Sequence, residues 1–364
     1  MVKAAVMNGP HMPLEIQEFP EPVLEAGGIV LRTLYSEVCG TDVHLQHGRL
    51  AGVPYPIIPG HINIGVIERT GGEVRDVDGA LLREGDLVTF LDVHETCNNC
   101  WYCLVARAST RCPQRKVYGI TYSARNGLLG GWSEKIYLRP GVKVVKLPEG
   151  LAPEAFIGGG CGLPTAFHGV ERAGIRLGDT VIVQGSGPVG LNAVILAQLA
   201  GALRVILVGG PSNRLELGKK LGADHVINIF ERSPEERVEM VRRLTGGRGA
   251  DVTIEATGVP NAVKEGLAMT RDAGTYVVVG QYTDNGTVTI NPHLELNKKH
   301  LDIRGTWGID FSHFYRSIQV MAKYNGRFRW EQFISRQYRL AEVNEALADV
   351  EEQKVIKAVI KPGD

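Results

Sequence analysis

All six cysteines of the 364-residue chain fall into two sets with the spacing of metal ligands. Cys97, Cys100, Cys103 and Cys112 form a C-x2-C-x2-C-x8-C run. Four soft thiolates so close in sequence can close a tetrahedral shell, the arrangement of a structural zinc site. Cys39 and Cys161 stand far apart on either side of His61. Two thiolates and an imidazole fill three positions and leave a fourth for water or substrate, the arrangement of a catalytic zinc. Their combined charge cancels that of the ion. Around the first of these ligands, EVCGTDVH also offers Thr41 and His44 as a hydroxyl and an imidazole for proton transfer, with Asp42 as a carboxylate behind the metal.

A second chemistry lies further along. Gly185, Gly187 and Gly190 spell G-x-G-x-x-G, with Pro188 and Val189 inside the motif, directly after the apolar run TVIVQ and at the mouth of LNAVILAQLAG. The first glycine permits a tight turn, the second lets backbone approach a pyrophosphate, and the third allows close helix-sheet packing. A dinucleotide is the expected ligand. In RVILVGGPSNR the next strand ends at Gly209, where an NAD fingerprint would place an acid for the ribose hydroxyls. Ser212, Asn213 and Arg214 follow as candidates for a 2′-phosphate, so NAD and NADP both stay open.

The elements that must position these groups change character along the chain. The first 155 residues carry short β-branched runs between turns (VKAAVM, IVLRTLYS, IGVIERTG, GDLVTFLDV, WSEKIYL, KVVKLP), an all-β pattern. From about Thr180, strands and helices alternate as far as GTYVVVGQY, which predicts a parallel sheet covered by helices on both faces. The tail, LDIRGTW, a helix from Phe311 to about Tyr324, AEVNEALADVEEQ and VIKAVIKP, is expected to complete the first domain. GGEVRDVDGALLREGD reads as a surface excursion between two strands.

Composition narrows the function classes. The chain is 44% hydrophobic and 22% charged, with 40 basic residues against 40 acidic ones, so nothing in its net charge attracts nucleic acid. No apolar stretch approaches the roughly 18 residues of a membrane span, and the start MVKAAVMNG has no extended apolar leader. A cytoplasmic protein is expected, its thiolates held on metal in a reducing compartment rather than in disulfides.

On these motifs the chain resembles the zinc-containing alcohol dehydrogenases of the medium-chain dehydrogenase/reductase family, from its first strand to VIKAVIKP. The resemblance implies an α/β fold: a GroES-like β-barrel catalytic domain over residues 1–162 and 305–364, with a structural zinc lobe at about 94–115, and a Rossmann domain over 163–304. It implies two zinc ions per chain, one on Cys39, His61 and Cys161 and one on the four-cysteine lobe. Thr41 and His44 match the family's proton relay, in which the alcohol proton passes by way of the cofactor ribose to solvent. Lys357 stands where relatives often carry a basic residue near the cofactor pyrophosphate. A homodimer or homotetramer is implied, with TYVVVGQYTDNGTVTINP as a place for edge pairing.

Two departures stand out. Ile62 follows His61 where the family usually has glutamate, which is expected to make the metal surroundings less negative and the ion a stronger Lewis acid. The spacing of eight before Cys112 is one longer than common, within the reach of a loop. The expected activity is reversible NAD(P)-linked oxidation of an alcohol, of the secondary, polyol, sugar or cyclitol class, to a ketone or aldehyde. Asp92, Val93, His94, Trp132, Gln281, Tyr282 and Trp307 are candidates to line its pocket. The alternatives are a zinc-independent NADPH reductase of the same superfamily, disfavoured by the intact Cys39, His61 and Cys161, and a non-catalytic nucleotide-binding protein, favoured by Ile62.

Overall fold

The strand Ile29–Val38 organises the first half of the chain. Its sequence, IVLRTLYSEV, is rich in residues that suit a pleated surface, and only Arg32 is exposed along it, as expected for an interior strand covered on both faces. In the computed structural model, which describes residues 1–363, the chain divides into two compact units. One is Met1–Cys161 with the segment from Asp310 on, and the other is Gly162–Ile309.

In the first unit Ile29–Val38 is shared by three partners. Asn63–Thr70 runs antiparallel along one edge. Lys135–Leu138 takes the N-terminal part of the other edge, and Lys357–Lys361 takes the C-terminal part. Leu87–Phe90 and Val144–Lys146 extend the sheet on one side, and Ile334–Arg339 pairs in parallel with Lys357–Lys361 on the other. The tail thereby supplies the edge strand at one side of the sheet and the strand next to it. A core of Met7, Val38, Leu45, Trp132, Tyr338, Leu347 and Ile360 forms around that junction. Each such side chain contributes about 1.5–3 kcal/mol on full burial. The helix Phe311–Phe328 runs past the expected end at Tyr324. Phe314, Ile318 and Met321 are buried along one face, and the helix stops only where Arg329 turns to φ 47°. The excursion after Thr70 is largely exposed, although its Leu82 is buried in the sheet core.

The second unit holds a six-stranded parallel sheet in the order His225–Asn228, Arg204–Gly209, Thr180–Gln184, Ala250–Glu255, Thr270–Val278, Asp302–Gly305. Numbered along the chain this is 3-2-1-4-5-6, the doubly wound order of dinucleotide-binding sheets. Its helices Pro188–Leu199, Pro234–Leu244 and Pro260–Met269 each open with proline, whose missing N–H costs nothing in the first turn. Two expectations change here. Asp302–Gly305, part of LDIRGTW, is the sixth strand of this sheet, in keeping with the 163–304 bounds and not with a first-domain tail that begins at LDIRGTW. It also occupies the sheet edge, so residues 275–278, the start of the stretch expected to offer edge pairing, lie in the interior strand Thr270–Val278. Among the described residues no helix is long and apolar enough to cross a membrane.

Candidate active site

Cys39 follows the strand Ile29–Val38 and caps the helix Gly40–Gln46. Its Sγ accepts from the Thr41 amide at 3.3 Å, while its own N–H donates to Asp42 Oδ2 at 2.9 Å. The strand thus delivers the thiol and the helix start fixes it. His61 lies in the turn before Asn63–Thr70, after Gly60 at φ 87°, and Cys161 ends the first unit just after Gly160 at φ 48°. One ligand atom from each of Cys39, His61 and Cys161 lies within 4.8 Å of the others, and Cys39 Sγ is 3.9 Å from His61 Nε2. Zinc bonds of about 2.3 Å to sulfur and about 2.0–2.1 Å to nitrogen, at tetrahedral angles, need ligand atoms about 3.5–3.8 Å apart. The three residues fit the ion with only small adjustment.

The electrostatics point the same way. The Cys39 thiol is held well below its ordinary pKa, first by the hydrogen bond from Cys161, whose own thiol is pushed up by the same bond and by burial. Burial pushes the His61 imidazolium down, but the adjacent Cys39 thiolate outweighs it and carries His61 up to about 10. A metal binding here competes with these protons. Asp42 is raised well above the carboxylate range by burial and then by the Cys39 charge. His61 Nδ1, Asp42 Oδ1 and Asp92 Oδ1 are buried without a hydrogen-bond partner, the mark of a place prepared for a further group.

Thr41 and His44 sit three residues apart in Gly40–Gln46, hence on neighbouring turns of one helix face, and both are partly exposed. Burial, and then Arg49, pull the His44 pKa below its ordinary value.

The four-cysteine lobe is tied differently. Cys100 and Cys103 have their sulfurs 3.6 Å apart, as do Cys97 and Cys112, and all four converge within 4.8 Å. These are not disulfides, which bring sulfurs to about 2.05 Å. None of residues 95–111 is buried. The lobe has no apolar core of its own, and four thiolates at these distances suit a shared zinc ion.

In the second unit the glycine loop joins Thr180–Gln184 to Pro188–Leu199, beside the point where strand order reverses. Gly190 packs so closely that a Cβ there would lie 1.9 Å from the Gly185 carbonyl oxygen, whereas a Cβ on Gly187 would meet nothing within 4 Å. Pro188 and Val189 open the helix. Gly209 ends its strand against Ser186, whose Oγ would lie 2.5 Å from any Cβ at that position, so the acid of an NAD fingerprint cannot be accommodated there. Ser212 and Asn213 are exposed, with Ser212 Oγ accepting from Asn228 at 3.1 Å. Arg214 is buried, and burial lowers its pKa.

Several residues take other positions than the sequence suggested. Lys357 is 1% exposed and forms an ion pair with Glu37 inside the first unit. Trp132 is fully buried with its indole N–H on the Glu37 carbonyl, and both ring nitrogens of His94 are engaged, by Tyr122 and the Pro140 carbonyl. That removes Trp132 and His94 from the candidate pocket. Tyr282 and Trp307 stack in the second unit, with the Trp307 N–H on the Tyr282 carbonyl. Sequence reasoning missed Glu37, a buried acid two residues before Cys39. It also missed Glu255, whose buried carboxylate accepts from the amides of Thr257, Gly258 and Gly280 beyond two adjacent strands.

Comparison with known proteins agrees with both units. The family described as alcohol dehydrogenase GroES-like domain matches residues 25–149, and that described as zinc-binding dehydrogenase matches residues 188–323. A 5-exo-hydroxycamphor dehydrogenase of Pseudomonas putida is 34% identical over 362 residues, 98% of each chain. An erythritol/L-threitol dehydrogenase of Mycolicibacterium smegmatis is 31% identical over 84% of this chain and 82% of its own. The crystal structure of an alcohol dehydrogenase from Thermotoga maritima superposes with a TM-score of 0.93 at 34% identity, covering 99% of each chain. A GroES-like unit and a Rossmann unit define the class, and the chain belongs to the zinc-type alcohol dehydrogenases of the medium-chain dehydrogenase/reductase family.

Proposed function

We propose that the protein is a zinc-dependent alcohol dehydrogenase that reversibly oxidises a secondary alcohol, on a ring or a polyol chain, with NAD or NADP. The observation that carries this is the convergence of Cys39, His61 and Cys161 on one point in a chain that also holds a glycine loop at a sheet's switch point. Zinc held by those three residues would supply a Lewis acid with an open coordination position, and a dinucleotide on the Gly185–Gly190 loop would supply the hydride acceptor. Thr41 Oγ1 would accept the alcohol proton as it passes on its own hydroxyl proton, and neutral His44, three residues along the same helix face and partly exposed, would take up the relayed proton and release it to solvent. Zinc on Cys97, Cys100, Cys103 and Cys112 has a structural role.

The substrate class is drawn from the relatives, named for a hydroxycamphor and for erythritol and L-threitol. The test is a screen of metal-assayed protein with each cofactor against erythritol, threitol, hexitols, cyclic secondary alcohols and primary alcohols. Oxidation of secondary alcohols ahead of primary ones is expected, on protein holding two zinc ions per chain. Turnover that is absent throughout, or that persists undiminished in Cys161→Ser protein lacking one zinc, refutes the proposal.

A further inference from the structure

A buried ion pair lies directly behind the three converging ligands. Glu37, on the strand Ile29–Val38, and Lys357, opening the strand Lys357–Lys361, are each 1% exposed and bonded to one another. Such a pair is weak evidence for stability, because removing both charges from water costs about as much as their attraction returns. Its contacts suggest another use. Glu37 Oε2 accepts from the Cys161 backbone N–H at 2.7 Å, and Oε1 lies 3.5 Å from the Cys161 sulfur. The Glu37 N–H donates to the carbonyl of Ile62, the neighbour of His61, at 3.0 Å. Cys39 is two residues further on, immediately after the end of the strand Ile29–Val38. One residue therefore touches or adjoins the segments carrying all three ligands.

Gly160 shows how closely the Cys161 loop is wrapped on this pair. A Cβ there would lie 2.1 Å from Glu37 Oε2 and 2.2 Å from Lys357 Nζ, on a backbone at φ 48°. The loop cannot approach the carboxylate so nearly with any side chain at that position. Across the strands, Ile62 is buried and apolar, so no acid follows His61. Glu37 places a carboxylate beside Cys161 from another strand, but Lys357 neutralises its charge, so what the pair offers Cys161 is a fixed hydrogen-bond acceptor rather than net negative charge.

We propose that Glu37 is a positioning residue for the metal ligand Cys161. Its carboxylate, neutralised by Lys357, holds the Cys161 backbone so that the thiolate faces Cys39 and His61. The inference rests on zinc binding by these three residues. Groups that orient metal ligands typically change metal affinity by about 10- to 100-fold when altered.

Two variants separate position from charge. Glu37→Asp keeps the charge pair but is one methylene shorter, withdrawing the acceptor from Cys161. Glu37→Gln/Lys357→Met removes both charges but keeps an acceptor oxygen at full reach. Zinc affinity is measured on the full-length protein by chelator competition, together with the absorption of the cobalt(II)-loaded form and a thermal melt. Glu37→Asp is expected to bind one of its two metal ions about 10- to 100-fold more weakly, with a changed thiolate-to-cobalt band. The double variant is expected to stay within about threefold of wild type, a gap of under 1 kcal/mol. The reverse order, equal losses, or wild-type affinity in both overturns the inference. Wild-type protein binding only one zinc instead refutes the metal site itself, so the two failures are distinct.

Discussion

Gly187→Ala separates the demands of folding from those of the ligand. Gly187 caps the helix Pro188–Leu199 at φ −76° and ψ 179°, a conformation open to any residue, and a Cβ there meets nothing within 4 Å. Alanine gains about 0.4–1 kcal/mol by restricting the unfolded chain. It loses about 0.5–1 kcal/mol as a poorer N-cap than glycine. The two nearly cancel, so the melting temperature should move by no more than about 2 °C. Folding therefore gives no reason for glycine here, whereas a pyrophosphate packed against the loop does. Affinity for the preferred dinucleotide should fall at least tenfold, about 1.4 kcal/mol. Gly190→Ala is the contrast. Its methyl would lie 1.9 Å from the Gly185 oxygen, forcing the helix away from the loop at about 1–3 kcal/mol and lowering both stability and affinity. Thermal melts without ligand and calorimetric titration with NAD and NADP read both quantities. Wild-type affinity in Gly187→Ala shows that the open space is not where the cofactor packs. A fall of more than about 5 °C shows that the space is not open.

Two further outcomes follow from titrating groups. In the proposed relay neutral His44 takes up the proton and protonated His44 cannot, so oxidation should slow as pH falls through its pKa, which burial sets below the ordinary value of about 6.5. His44→Gln should remove that limb and lower kcat/KM by up to about 100-fold, and an unchanged pH profile excludes His44 from the relay. In the second unit Asp251 binds Arg271 at 2.7 Å and the Thr180 amide at 2.7 Å; burial raises its pKa, but these partners outweigh it and hold it low. A lowered folded pKa gives stability that is present above the unfolded value of about 3.9 and is lost as pH falls through the folded one. Asp251→Asn should therefore lose about 1 kcal/mol at pH 7 and progressively less as pH falls below the unfolded value of about 3.9, read by urea denaturation; a pH-independent difference contradicts the assignment.

What could be read from the sequence had a short-range signature. The glycine loop lies between an apolar strand and an apolar helix, and the cysteines lie at ligand spacing, so local pattern suffices to nominate both. The sixth strand was harder, because Asp302–Gly305 is a short DIRG run whose residues are mostly exposed, without the apolar run or alternation that marks buried strands. It is defined by pairing with Thr275–Val278, a long-range fact. His94 and Trp132 were misread for a related reason. The family resemblance nominates both for a pocket by their aligned positions and polar atoms, yet their hydrogen bonds go to the Pro140 and Glu37 carbonyls, partners 46 and 95 residues away.

Ile62 and Glu37 show where the limit lies. Read along one strand, Ile62 is the loss of an acid beside a ligand, and it favours an inactive site. Across two strands, the Glu37 N–H bonds to the Ile62 carbonyl and its side chain reaches Cys161, so a carboxylate reaches the ligand cluster from the neighbouring strand. A signal for it exists in SEVC: an ionisable residue near the end of an otherwise buried strand needs a partner of opposite charge. Its identity is set by antiparallel pairing, which places the strand of Lys357 alongside Glu37 from 320 residues away. The acid that reaches Cys161 is thus placed by strand pairing and neutralised by the same pairing, while the position after His61 stays apolar.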